Sequence, residues 1–289
     1  MTVNTGVSND PPRRLKKVVV PETTRDGAGV VLKRVIGGLS LSYADPFLLL
    51  DHFGSDDPDE YIAGFPMHPH RGIETVTYVL SGAIKHRDSE GNEGIIRPGG
   101  VQWMTAGSGI IHEEMPQLEN GKLEGFQLWV NLPACSKMIR PRYQEFGAGE
   151  IPFVAPSDGV EVKVIAGRYG DASGAVTGLE LAPDYFDVRL QGDVDFRCPV
   201  ESGRNAFIYV YRGGLAFSDA EEVVKAPLLA LLGEGSEVKV RSLSEGAGFL
   251  LVSGAPLNEP IARYGPFVMN TRDEIGTALE ELNNGTFVK

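Results

Sequence analysis

Two short motifs carry the residues of this chain best suited to metal chemistry: His68-Pro69-His70, with Glu74 four residues on, and His112-Glu113-Glu114. In a β-strand, residues two apart point to one face. His68 and His70 then share a side, and so do His112 and Glu114, with Glu113 turned away. On a helix the same pairs would diverge. Two strands of one barrel bring both pairs together, giving three imidazoles and one carboxylate. Such nitrogen and oxygen donors suit divalent iron, manganese, nickel, zinc or copper. Four protein ligands on an octahedral ion leave two positions for water, substrate or dioxygen. Glu74 shares the parity of His68 and His70 unless a bulge at Gly72 intervenes. It stays open as a ligand, as a carboxylate hydrogen-bonded to a ligand, or as a plain strand-start residue.

A lone histidine is usually a hydrogen-bonded turn or surface residue. Here all five histidines lie between His52 and His112, and the two same-face pairs argue for a metal site. His52, in Leu50-Asp-His-Phe-Gly54, reads as structural, and His86, beside Arg87-Asp88-Ser89, as an exposed hairpin residue. Other chemistry finds little support. Gly107-Ser108-Gly109 lacks the flanks of a nucleophile elbow, and no glycine-rich phosphate loop with lysine occurs. Cys135 has no base beside it. Two cysteines, Cys135 and Cys198, are too few for a disulfide framework and are expected to stay reduced.

The elements that must position these residues are short strands. The 289 residues include 36 glycines and 19 prolines, which favours strands and tight turns over long helices. Glu74–Leu80 reads as a strand stopped by Ser81-Gly82. Gly82–His86, Gln102–Met104, Ile110–Glu114 and Gly125–Leu132 follow, with turns at 88–92, 97–100 and 106–109. Phe65, Trp103 and Met104 are candidates for an apolar pocket, though aromatic residues in strands are more often core. The spacing suggests a sandwich or small barrel. Tyr78-Val-Leu-Ser-Gly82 is echoed by Tyr209-Val-Tyr-Arg-Gly213, and Gly125–Val130 by Gly248–Val252, in the same order, which suggests a duplicated all-β unit. The echo sets Pro199, Glu201 and Asn205 opposite His68, His70 and Glu74, leaving the second copy without ligands. Residues 1–12 are expected to be disordered, 13–140 to form the metal-binding barrel and 141–289 the second, ending in a helix over about 271–284. That helix opens on a capping box, Thr271-Arg-Asp-Glu274, and stops at Asn284-Gly285.

The formal charge of −12 opposes nucleic-acid binding. The basic cluster Arg13, Arg14, Lys16 and Lys17 reads as a solvated tail. No apolar run approaches the ~20 residues of a membrane span, and the first residues lack the apolar core of a signal peptide. A cytoplasmic location away from membranes is the expectation.

The order H-x-H-x3-E, a glycine, P-x-G and a later histidine (His68, His70, Glu74, Gly82, Pro98, Gly100, His112) resembles the cupin signature. More narrowly, HPHRGIETVTYVLSG (68–82), QWMTAGSGIIHEEMP (102–116), FQLWVNLP (126–133), PRYQ (141–144) and GPFVMNTRDEI (265–275) resemble the pirin family. The resemblance implies an all-β protein of two cupin (double-stranded β-helix, jelly-roll) barrels with a short C-terminal helix and metal in the first barrel only. It implies one divalent ion per chain, iron before zinc, manganese, nickel or copper. The general cupin pattern uses Glu74 as a ligand. The closer pirin pattern places the ligands on His68, His70, His112 and Glu114 and leaves Glu74 beside them. Pirins are described both as quercetin 2,3-dioxygenases and as iron-containing regulators that bind a protein partner. On the first reading a flavonol coordinates the metal through its 3-hydroxyl and neighbouring carbonyl oxygen, and Glu114 or Glu74 takes the hydroxyl proton before dioxygen attacks. On the second, the oxidation state of the iron alters an acidic surface that contacts the partner.

Overall fold

The computed structural model describes residues 11–119, 121–217 and 222–289. The expected disorder of residues 1–12 falls almost wholly outside them; Pro12 itself forms a parallel bridge to Glu237. Among the described residues the fold is all-β with one α-helix, Arg272–Asn283. Two sheets build the first barrel. One has seven strands in the order Arg142–Phe146, Val101–Thr105, Ile73–Ser81, Leu123–Asn131, Phe47–Ser55, Val30–Ile36 and Glu22–Asp26. The other has four: Phe65–His70, Ile110–Gln117, Ala83–Asp88 and Glu93–Ile96. The second barrel is a single nine-stranded sheet. Its long strands Asn205–Phe217 and Glu237–Gly254 pair with each other through register shifts. Such bulges bend a strand, which lets one sheet curl over its own interior.

Alternation along the strands decides what faces what. In Ile73–Ser81, Val76 and Tyr78 point out of the first barrel and meet Tyr185, Phe207, Tyr209 and Val252 of the second in one continuous apolar core. Thr75 and Thr77 point the other way, into the first barrel. The second barrel's own interior is filled by side chains such as Phe186, Phe196, Ile208, Val238 and Phe249.

Three expectations about organisation change. Leu15–Val19 joins the second barrel's sheet, antiparallel to Leu228–Leu232, rather than the first barrel. The basic cluster is therefore no solvated tail. Arg13 is buried and donates to the carbonyls of Gly233 and Glu201, and Lys17 donates to Ser40. Arg142–Phe146, placed beyond the first barrel by the 140/141 boundary, pairs with Val101–Thr105 and closes that barrel's sheet.

The helix keeps its expected cap. Thr271 Oγ1 accepts from the Glu274 amide at 3.2 Å, and Glu274 accepts from the Thr271 amide at 2.8 Å. Its buried face, Ile275 and Ala278, packs with Phe267, Met269 and Phe287, and half-buried Ile111 of the first barrel lies against the same cluster. The C-terminal segment thus crosses back onto the metal-motif barrel. No helix among the described residues is long and apolar enough to cross a membrane.

Candidate metal centre

The strands Phe65–His70 and Ile110–Gln117 run antiparallel, with His68 opposite His112 and His70 opposite Ile110. Same-face neighbours across an antiparallel pair are the closest side chains a sheet offers. The ring centroids of His68, His70 and His112 are accordingly 4.5–5.1 Å apart. A nitrogen from each lies within 4.8 Å of the others. Burial pushes the His70 and His112 imidazoles well below their usual pKa, with neighbouring histidines adding to it. Both are therefore neutral at pH 7, the form that binds a metal. His68 Nδ1 lies 2.8 Å from the Pro66 carbonyl, which fixes that nitrogen as the donor and leaves Nε2 free. His112 has no hydrogen-bond partner on either ring nitrogen, and His70 has none on Nδ1. Buried polar atoms are ordinarily paired. Three converging imidazoles with open nitrogens fit a metal ion well.

Glu114 lies outside this three-imidazole group. The register shifts between His112 and Glu114, and the Glu114 carboxylate accepts from Thr77 Oγ1 at 2.5 Å. It is buried, and burial raises its pKa against the opposing hydrogen bond from Thr77.

His68, His70 and Glu114 open onto a cavity of about 540 Å³ inside the first barrel, within the range of small-molecule sites. Its apolar wall includes Leu49, Phe53, Phe65 and Trp129. Its polar wall includes Thr77, Gln127 and the pair Arg34–Asp51. Arg34 grips Asp51 with two nitrogens, at 3.0 and 2.7 Å, and Asp26 with one of them at 2.6 Å.

Two family models match the sequence: Pirin over residues 29–130 and the Pirin C-terminal cupin domain over 185–288. The chain belongs to the pirin family. A pirin-like protein of Caulobacter vibrioides is 45% identical over 278 residues, covering 96% of this chain and all of that one. A Pseudomonas aeruginosa protein, provisionally named a quercetin 2,3-dioxygenase, is 47% identical over 265 residues, covering 90% of this chain and 93% of its own length. The crystal structure of a quercetin 2,3-dioxygenase from Acinetobacter baumannii is 36% identical with a TM-score of 0.88, covering 96% of this chain and 99% of that one.

Within this pirin fold, the remaining candidates part company. Glu74 does not line the cavity. It accepts from Thr105 at 2.7 Å and faces the same way as Val76 and Tyr78, towards the inter-barrel core. The cause is Gly72, whose φ of +79° turns the chain between His70 and Ile73 and resets the parity. A Cβ at Gly72 would also lie 2.0 Å from the Val268 carbonyl of the C-terminal segment, so glycine is required there twice over. His52 is structural, as read: Nδ1 lies 2.8 Å from the Tyr209 hydroxyl of the second barrel. His86 is not an exposed hairpin residue. It is 3% exposed, stacks on Tyr143 and lies 2.5 Å from Glu145, because Ala83–Asp88 points it into the barrel. Of the pocket candidates, Phe65 lines the cavity, whereas Trp103 and Met104 are core.

Several cavity residues escaped the sequence reading. Gln127 and Trp129 alternate with apolar Phe126, Leu128 and Val130, a period-two signal that marks them as facing a different environment. Arg263 and Pro266 come from the short hairpin Ala262–Tyr264/Phe267–Met269 and carry no local signal. Arg71 and Lys137 fasten that segment. Fully buried Arg71 donates to the Ser108 and Phe287 carbonyls and to Glu281. Lys137 Nζ donates to the carbonyls of Gly72 and Val268 and to Asn131 Oδ1, at 2.7–2.9 Å. Three acceptors match the three donors of an ammonium, so the charged form is favoured there despite the downward pull of burial on its pKa.

Proposed function

We propose that the chain is a metal-dependent dioxygenase of the pirin type, acting on quercetin or a related flavonol. One divalent ion, iron for preference, would be held by His68, His70, His112 and Glu114. Zinc, manganese, nickel and copper share the donor chemistry. The observation that carries the reading is the set of three convergent imidazoles, with unpartnered nitrogens on His70 and His112, of which His68 and His70 stand in the wall of a 540 Å³ cavity of mixed polarity. A site that only braced the fold would need no such cavity beside it.

When bound, the ion supplies Lewis acidity that lowers the pKa of a hydroxyl group placed on it. The chain's own residues do the rest. Glu114 accepts the hydroxyl proton; a carboxyl raised by burial is a better base than an exposed one. Thr77 donates to one Glu114 oxygen and so orients the group. Phe65, Phe53 and Leu49 exclude water from the ring system. Glu74, bonded to Thr105 on the other face of its strand, takes no part in proton transfer.

Oxygen uptake with quercetin, measured on protein loaded in turn with each candidate metal, tests the reading. Turnover with one metal and its loss in His112→Ala are the expected results. A stoichiometric metal without turnover of any flavonol would replace the enzyme with a metal-sensing module that binds a protein partner. A variant His112→Ala with normal metal content would remove the ligand assignment.

A further inference from the structure

Arg263 stands at the cavity rim. Its guanidinium carbon lies 5.0 Å from the centroid of the Trp129 ring, and the Trp129 ring in turn sits edge-on to His70 at 5.1 Å. One indole therefore connects the imidazole cluster to the rim arginine. Arg263 Nε donates to the Gly265 carbonyl at 3.2 Å, which orients the head and leaves the terminal nitrogens available. The other arginine of the cavity, Arg34, is consumed by Asp26 and Asp51. Arg263 forms no ion pair among the described residues. Its hairpin is bolted to the metal strand, since the Val268 amide donates to the Arg71 carbonyl at 3.1 Å, one residue from His70. A cation held by a rigid element over an aromatic face, with donors to spare, is a pre-organised acceptor site for a planar oxyanion.

We propose that Arg263 is the specificity-determining residue of this cavity. It would select planar aromatic ligands carrying a hydroxyl or phenolate oxygen on the ring remote from the metal-binding end. Trp129 supports the guanidinium from one side, and the terminal N–H groups of Arg263 meet the remote oxygen. This rests on the flavonol reading and adds to it: the metal end would recognise the 3-hydroxyl and carbonyl common to all flavonols, and Arg263 would discriminate by the hydroxylation of the distant ring.

Two ligands separate the ends: quercetin, and the parent 3-hydroxyflavone, which keeps the 3-hydroxyl and carbonyl but has no other hydroxyl. Dissociation constants of both are measured by tryptophan fluorescence on metal-loaded protein without oxygen, for wild type and Arg263→Gln, with metal content as a control. A charge-assisted hydrogen bond is worth about tenfold or more in affinity. The expected result is that the wild-type preference for quercetin over 3-hydroxyflavone falls about tenfold in Arg263→Gln and is partly restored in Arg263→Lys. An unchanged preference, equal weakening of both ligands, or no binding of either to wild type overturns the proposal. Selective binding without turnover once oxygen is admitted would remove the dioxygenase reading and leave the subsite standing.

Discussion

The first barrel encloses a cavity walled by imidazoles, an arginine–aspartate pair, a threonine and an amide, with apolar side chains at its edges. The second encloses Phe186, Phe196, Ile208, Val238, Val240 and Phe249, packed against one another. The strand pair that holds the metal motifs in the first barrel has a counterpart in the second, Asp195–Pro199 against the start of Glu237–Gly254. There Phe196 faces Val240 and Cys198 faces Val238, all buried. The same framework is thus spent in two ways. Apolar burial stabilises at roughly 25 cal/mol per Å², so a filled barrel contributes more than a hollow one lined with groups that must be desolvated. The solid barrel, and the apolar face it shares with its partner, hold rigid a site that the hollow barrel would hold less firmly by itself.

The contrast breaks most sharply at His112. His112→Ala should abolish stoichiometric metal binding by elemental analysis, yet leave the metal-free protein as stable as before or more so, because the lost ring nitrogens have no partners. The pH dependence should change with it. His70 and His112 have folded pKa values below the unfolded value of about 6.5. The unfolded chain therefore binds more protons, and metal-free stability falls as pH drops below about 6.5 towards the folded pKa values. Each imidazole contributes about 1.4 kcal/mol per pH unit at most. Denaturant titrations of metal-free wild type and His112→Ala at pH 7 and 5.5 should diverge in favour of the variant; parallel curves would show that the imidazole is not held neutral.

In the solid barrel the same truncation acts oppositely. Phe249→Ala should cost about 3–5 kcal/mol in denaturant unfolding, since transfer and cavity terms add. A loss under 1 kcal/mol would mean that the second barrel is not the packed partner described. Between these sits Arg71→Met. It removes charge-assisted bonds to Glu281 and to two carbonyls, and about 2 kcal/mol of stability with them. Metal affinity should weaken too, as the residue beside His70 loses its anchor; unaltered affinity in a metal competition titration would uncouple the C-terminal segment from the site. The smallest effect belongs to Glu74→Gln. Metal content and ligand-field spectrum should match wild type and stability should move by less than about 1 kcal/mol, because the carboxylate faces the inter-barrel core. A spectrum that loses an oxygen donor would restore Glu74 as a ligand.

The three imidazoles were legible because strand parity is a local property: His68 and His70 in one strand and His112 in another need only an antiparallel pairing to converge. Glu74 misled for the same local reason, since parity carries through a strand but not through the positive-φ turn at Gly72. The cap of the C-terminal helix, written within four residues, was read correctly. What the sequence concealed was non-local. Nothing in Leu15–Val19 names Leu228–Leu232 as its partner, and nothing around Arg263 points to Trp129. His86 was hidden by a different fact: a polar residue in a hairpin reads as exposed unless the barrel interior is known to be polar.

Arg71 also sets a timetable. The three imidazoles have all been synthesised by residue 112, but the arginine beside His70 meets its carboxylate only after Glu281, and its last carbonyl only after Phe287. A nascent chain emerging from the ribosome therefore carries its metal motifs long before the contacts that brace them exist. A product interrupted before Glu281 would bury a guanidinium without its counter-charge. Bracing of the site therefore comes well after its metal motifs in the order of synthesis.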